Sequence, residues 1–417
     1  MQKKLIAFLA TAFLAFSLVT PAHAQQEEEE ETKNTFMSPG VYKRISRAYE
    51  DIEAGNYSEA VEELEDLISD IEDSPYEKAV ALQTLGYVYI NQEKWRQAAQ
   101  YLQAAYDLDA FPPEPEKQVV YALAQIYSQL EEYDKTIRLM NLWFKGKAEK
   151  DVPPDAYIIL ANAYSAKNQF QQAYPWVRKA VQAAPKPKKD WLNLQLAVQF
   201  ELGKFGEAAE TLEILIANWP DEERYWQQLS GVQLELNRDA AALATLALAY
   251  EKDFLEKEDE YLNLARLYML NEVPYKGAMV LDKALEEGNV EKTQKNYELL
   301  SQALIQAREY KEGIAALGEA AEFSDDGELY LRQAQLYTSI ADWEGAMEAA
   351  KRAVEKGNME PKKTGQAWLV RGTAAAEAKQ FDAAVEAFNK ARGYEDTRKQ
   401  ATQWLSFVRT EQSFSQR

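Results

Sequence analysis

From Val41 onward a small residue returns every 33 to 38 positions, as Ala60, Ala98, Thr136, Ala173, Ala208, Ala242, Gly277, Gly313, Ala346 and Ala384. No other feature restricts the fold as strongly. Three residues before this marker stands a ring in most units: Tyr57, Trp95, Tyr133, Phe170, Phe205, Tyr310, Trp343 and Phe381. Twelve before it a second small residue recurs, as in Ala48, Gly86, Ala124, Ala161, Ser230, Ala265, Ser301, Ala334 and Gly372. Nine before it five units carry Tyr: Tyr89, Tyr127, Tyr164, Tyr268 and Tyr337. Seven after it comes a further apolar contact, from Leu67 and Ala105 to Ala353 and Ala391. Small residues on facing helices let two backbones approach, and large rings beside them fill the space between one hairpin and the next. A single hairpin cannot bury its apolar face alone, so neighbours must stack. At 417 residues the chain is longer than one compact core usually organises, which agrees with an array.

This frame resembles the tetratricopeptide pattern, a helix–turn–helix unit of about 34 residues. The resemblance implies an all-α fold, a right-handed superhelical solenoid of about ten such units closed by a C-terminal capping helix. The expected boundaries are a signal peptide over 1–24, an acidic disordered linker over 25–40, the repeat array over 41–393, a capping helix over 394–409 and a flexible tail over 410–417. Turns such as Ala54-Gly55-Asn56 and Leu202-Gly203-Lys204 join first helix to second, and Pro185 and Pro220 stop second helices. The fifth unit departs from the frame, with Leu196 and Gln199 where Ala and Tyr are usual. The seventh carries Pro274 in place of the turn aromatic, which a helix start accommodates.

Lys3 and Lys4 precede an apolar run from Leu5 to Val19, followed by Pro21 and Ala22-His23-Ala24. A basic start, a short apolar core and an A-x-A ending read as a secretory leader cut after Ala24. The run would make ~22 Å of helix, short of the ~30 Å hydrocarbon core, so no membrane insertion is expected after cleavage. Cleavage removes Lys3, Lys4 and His23 but no acidic residue, moving the formal charge from −21 to −23 and leaving neither His nor Cys. The expected location is outside the cytoplasm. The run Glu27–Glu31 then stands near the new N-terminus, as a solubilising spacer or a hook for a basic partner.

That composition closes many functional classes. Ser-His-Asp and Cys-His catalysis, His-ligated metals and thiolate chemistry lack their residues. Nucleic acid is disfavoured because phosphate binding needs clustered Lys and Arg. Acidic pairs such as Asp325-Asp326 fall in turns, without the alternating oxygens and Gly of a calcium loop. The reading is a non-enzymatic protein with no cofactor, no metal and no catalytic residues. Trp95, Trp143, Trp176, Trp219, Trp226, Trp343 and Trp368 fall mostly on hairpin-packing positions, as core rather than a sugar-stacking platform.

In the fold this frame implies, the first helix of each unit lines an inner groove. Projecting the frame gives Tyr42, Tyr49, Tyr87, Asn91, Tyr121, Gln125, Gln129, Asn162, Asn193, Gln227, Arg266, Gln302, Gln306, Gln335 and Thr373 as its lining. Amides and phenols both donate and accept, which suits the backbone of an extended peptide. Tyrosine faces also suit proline-rich segments that are already extended. Arg266 is nearly alone as a cation in the middle units, so clamping of a terminal carboxylate is not expected.

Several stretches resemble one group more closely: Ser38 to Lys43, Tyr76 to Tyr89, Trp219 to Glu251, Leu262 to Gly288 and Asp326 to Ala346. They are similar to secreted tetratricopeptide proteins encoded beside TonB–ExbB–ExbD energy-transduction genes. The resemblance implies a periplasmic accessory of a TonB-dependent uptake system. Its partners would be TonB/ExbB/ExbD-type components or a proline-rich basic segment. A general envelope-assembly adaptor and a peptidoglycan-associated binding protein are the alternatives.

Overall fold

The computed structural model describes residues 35–415. The leader over 1–24 and most of the acidic linker lie outside the described residues. Helices occupy nearly all of the rest, in two compact units that part between Lys204 and Phe205.

The first unit holds α1 (Pro39–Ala54), α2 (Tyr57–Asp70), α3 (Pro75–Asn91), α4 (Trp95–Asp107), α5 (Pro113–Gln129) and α6 (Tyr133–Phe144). After a 3-10 turn at Glu149–Asp151 it continues with α7 (Pro154–Ala166), α8 (Phe170–Ala183) and α9 (Lys189–Glu201). The second unit opens with α10 (Phe205–Asn218), α11 (Glu223–Glu235), α12 (Asp239–Glu251), α13 (Glu258–Leu270), α14 (Pro274–Glu287) and α15 (Gln294–Gln306). It closes with α16 (Tyr310–Glu322), α17 (Glu328–Ser339), α18 (Trp343–Lys356), α19 (Pro361–Glu377), α20 (Phe381–Ala391) and α21 (Arg398–Ser415). Odd-numbered helices up to α19 are first helices of repeats and even-numbered ones are second helices. The division between units thus falls inside the irregular fifth repeat.

The marker frame becomes visible atom by atom. Every second helix starts three residues before its marker, so the conserved spacing of rings places them at the first helical position. Five residues before each marker the backbone turns left-handed, at Gly55, Glu93, Glu131, Asn168, Gly203, Asn237, Glu272, Arg308, Ala341 and Lys379. The next residue's N–H then reaches back over the turn, as Lys94 N to Tyr89 O at 2.9 Å and Gln380 N to Ala375 O at 2.8 Å. This caps the first helix and launches the second. Proline starts α1, α3, α5, α7 and α19, where its missing N–H costs nothing. Ser38, Ser74 and Thr293 accept N-terminal amides of α1, α3 and α15.

The small positions meet as expected. Ser230 Oγ donates to Ala242 O at 3.0 Å and Ser301 Oγ to Gly313 O at 2.7 Å, each joining the twelve-before position to its marker. A Cβ on Gly277 would stand 2.7 Å from Ala265 O, and one on Gly327 would stand 2.0 Å from Ala353 O. Glycine is required there by close approach. Pro274 occupies the first position of α14, as the sequence suggested.

Two boundaries shift. The array begins at Pro39 rather than 41, because Ser38 caps α1 and its N–H donates to Glu77 Oε1 at 2.6 Å. The final helix spans Arg398–Ser415, so the flexible tail expected over 410–417 is corrected to helix as far as Ser415. Val408 is buried, Thr410 Oγ1 bonds Ser406 O, and Gln412 Nε2 reaches Asp382 Oδ1 at 2.8 Å, tying the last turns to α20.

Candidate functional site

The first-helix residues chosen from the sequence divide by unit. On α1, Tyr42 is 64% exposed, while Tyr49 is half-buried with its hydroxyl 3.3 Å from Thr84 Oγ1 on α3. Tyr87, one turn further along α3, is half-buried and accepts from Gln83 Nε2 at 3.0 Å. Asn91 is half-buried and donates one amide N–H to Tyr87 O at 3.0 Å within its own helix. Burial pushes the Tyr49 and Tyr87 phenols up from their ordinary range, and the nearby Tyr87 phenol adds a little to the rise at Tyr49. Tyr49 with Thr84 and Gln83 with Tyr87 therefore form two neutral, hydrogen-bonded pairs on α1 and α3.

On α5, Tyr121 lies against Trp143 with ring centroids 4.7 Å apart. Burial, with a smaller contribution from Asp155, pushes its phenol up to about 12. One turn on, the Gln125 side chain buries its Oε1 with no hydrogen-bond partner. A buried acceptor left unpaired costs about 1–3 kcal/mol. Asn162 on α7 is exposed and Asn193 on α9 is half-buried.

In the second unit the projected residues stand further out. Gln227 on α11 is half-buried, whereas Arg266 on α13 and Gln302, Gln306 and Gln335 on later first helices are exposed. Arg266 Nη1 reaches Asn263 Oδ1 at 3.3 Å on its own helix, and Gln306 Nε2 donates to Met269 O at 3.2 Å. Among the described residues no hydrogen bond joins Gln227, Arg266 and Gln302 to one another.

Beneath Tyr121 the rings expected to pack do so. Trp143 is nearly fully buried and meets Phe144 edge-on at 5.3 Å. Phe144 in turn stacks on Tyr157 at 5.5 Å and on Trp176 at 5.1 Å. Lys147 lies 4.6 Å over Trp143, and Lys179 lies 5.8 Å over Trp176 while pairing with Glu149. The insertion between α6 and α7 thus closes one edge of this ring cluster, with the 3-10 turn supplying the Glu149 partner.

Sequence reasoning missed Gln83 and Thr84, which complete the two pairs on α1 and α3. Their signal was faint: two polar residues in the otherwise apolar run from Ala79 to Val88. It also missed the buried pair Thr245 Oγ1 to Gln233 Oε1 at 2.8 Å. There Gln takes the place of the Tyr nine before the marker, and a Thr three after the marker answers it. Among the described residues no cluster of three metal-ligating side chains occurs, and no helix is long and apolar enough to cross a membrane.

Two tetratricopeptide repeat family models match the chain, one over residues 84–142, 198–253 and 331–397 and the other over 154–187. The chain is a tetratricopeptide-repeat protein. Proteins of this kind act as scaffolds for contacts between proteins, and their repeats are typically non-enzymatic. A comparison with curated proteins finds no match. Among solved structures, a tetratricopeptide repeat protein from Parabacteroides merdae is similar over 64% of this chain and 100% of its own, at 16% identity and a TM-score of 0.38. MamA (AMB-1) is similar over 42% of this chain and 92% of its own, at 21% identity and a TM-score of 0.36. The APC/C hetero-tetramer Cut9–Hcn1 is similar over 89% and 78%, at 16% identity and a TM-score of 0.25. Similarities this low carry no argument about what the chain binds.

Proposed function

We propose that this chain is a periplasmic protein-binding scaffold, accessory to a TonB-type energy-transduction system, and that it holds an extended proline-rich basic segment along the first helices of its first unit. The observation that carries the binding reading is the Gln125 Oε1, buried and unpaired one turn from Tyr121. Gln125 as a whole is only half-buried, so rotation of its side chain would turn that acceptor outward, where an incoming backbone N–H would pair with it and recover part of its desolvation cost. The half-buried rings of Tyr49, Tyr87 and Tyr121 offer neutral aromatic faces to proline-rich chain. The net charge of −21 favours a basic partner and speeds encounter at low salt. The leader and the stretches resembling TonB-neighbouring proteins support the periplasmic and TonB parts of the reading.

The test pairs a physical and a cellular measurement. A synthetic proline-rich, lysine-containing peptide is titrated against the chain by fluorescence anisotropy. Gln125→Leu should weaken binding about tenfold or more while leaving the protein as stable or slightly more so, since it removes an unpaired acceptor. Equal affinity for the variant would reject the first-unit groove as the site. Capture from crosslinked envelopes should recover TonB, ExbB or ExbD; their consistent absence would remove the TonB assignment while leaving the peptide result standing.

A further inference from the structure

The two ends of the chain carry opposite chemistry. At the C-terminal end a cleft of about 450 Å³ is lined by Arg392, Thr402, Leu405, Ser406, Arg409 and Thr410. Arg392 sits in the turn after α20, and the other five fall on one face of α21 by their three- and four-residue spacing. No carboxylate lines the cleft. Arg392 and Arg409 are exposed, and neither has an ion-pair partner among the described residues. Elsewhere cations such as Arg44, Lys167 and Lys188 are paired. The Thr402 and Thr410 hydroxyls donate to Arg398 O and Ser406 O at 2.8 and 2.9 Å. The donors left to face the cleft are therefore two guanidiniums and the Ser406 hydroxyl, a set suited to carboxylates.

A polar outer face is what any terminal helix of an array needs for solubility. That requirement does not bring two unpaired guanidiniums into one cleft. The densest run of carboxylates in the sequence, Glu27–Glu31, lies just before the first helix. Next to it stand Phe36, 70% exposed, and Tyr42, and beside the cleft Phe407 is also exposed. Charge and exposed rings thus match between the two ends.

We propose that two copies of this chain join head to tail. The Glu27–Glu31 run of one copy enters the cleft between Arg392 and Arg409 of the next, with Phe36 and Tyr42 meeting Phe407. The contact uses different surfaces on the two partners, so it can repeat and build an open chain of copies. Guanidinium–carboxylate pairs at an exposed site are screened by salt, so assembly belongs to low ionic strength.

Sedimentation velocity on the processed chain beginning at Gln25 tests this at about 0.01 M and about 1 M salt, where screening lengths are ~30 Å and ~3 Å. Average mass should rise with protein concentration at low salt and return to that of one chain at high salt. Arg392→Glu with Arg409→Glu should weaken association at least tenfold, and replacing Glu28, Glu29, Glu30 and Glu31 together by Lys should do the same. Mixing the two charge-reversed proteins should restore association, because each then offers the other complementary ends. Arg392→Gln with Arg409→Gln, of unchanged helix content by circular dichroism, guards against a loss of the cap itself. A wild-type chain of single-copy mass at every low-salt concentration would overturn the proposal, as would unimpaired association of the arginine variants.

Discussion

Residues 35–204 and 205–415 follow one frame but fill it with different material. The first unit packs its hairpins with rings, as in Tyr89 stacked on Tyr101 at 5.3 Å and the cluster of Trp143, Phe144, Tyr157 and Trp176. The second spaces its ring pairs more widely, as at Tyr297 with Phe323 and Phe388 with Trp404, adds buried alanines such as Ala265, Ala278, Ala320, Ala334, Ala350 and Ala375, and sets backbones close at Gly277, Gly313 and Gly327. Beside the rings of the first unit the polar groups of first helices are half-buried, as at Tyr87, Tyr121 and Gln125. In the second unit Arg266 and Gln302 on first helices are exposed, while Gln233 and Gln333 are buried and hydrogen-bonded to Thr245 and Ile314. One repeat frame thus sets first-helix polar residues at different depths, from the half-buried Gln125 to the exposed Gln302.

The largest effect should come from removing the ring that the first unit is built around. Trp143→Ala should cost about 3–5 kcal/mol, as expected for emptying a buried aromatic site. Hydrogen exchange followed by mass spectrometry should show faster exchange through α5–α8. Equal acceleration in α13–α18 would mean that the two units do not differ in what holds them. The matching change in the second unit is Gly327→Ala, whose Cβ would collide with the Ala353 carbonyl at 2.0 Å. About 1–3 kcal/mol should be lost there, with exchange rising in α16–α18. No backbone carbonyl crowds Gly40, and Gly40→Ala on α1 should be neutral or stabilising.

Much of this architecture was readable from the marker residues. Their spacing located all ten helix pairs, and the ring three before the marker located the start of eight second helices. What escaped was local. The left-handed turn residue is Gly only at Gly55 and Gly203, and elsewhere Glu, Asn, Arg, Ala or Lys takes the same conformation, so most turns carry no glycine signal. Groove residues could be assigned to helices but not to depth. Whether Gln125 or Gln302 ends up half-buried depends on the bulk of neighbours brought from other repeats, which periodicity does not encode. The last helix ran on past Val408 for a similar reason, since Gln412 is anchored by Asp382 thirty residues earlier.

Alkaline pH offers a third way to separate the units. Unfolded tyrosines ionise near 10, whereas Tyr121 holds its proton to about 12 and Tyr49 is also raised, both chiefly by burial. A raised phenol contributes stability that is whole below pH 10 and is lost as pH climbs through 10 to 12. After discounting for partial exposure, roughly 1–2 kcal/mol should disappear from the first unit over that window. Tyr121→Phe should reduce the dependence and leave the share of Tyr49 and Tyr87. Denaturant midpoints at pH 8 and pH 11, read by exchange in each unit, check the sign; greater alkaline loss in the second unit would contradict the ring-packed account.

The smallest effect concerns the turns, where the units again diverge. Two of five turns in the first unit use glycine at the left-handed position, and none of five in the second does. A left-handed alanine costs about 1–2 kcal/mol relative to glycine in the fold. Glycine returns about 0.4–1 kcal/mol of that through a freer unfolded chain. Ala341→Gly, at φ 58°, should therefore stabilise the second unit by about 0.5–1 kcal/mol, since its methyl offers no hydrogen bond to offset the strain. Asn237→Gly should change little, because asparagine tolerates this conformation through its own short polar side chain. Urea melts should show a raised midpoint for Ala341→Gly with an unchanged slope. An equal gain at Asn237 would mean that backbone strain, rather than side-chain identity, sets the cost of every turn in the frame.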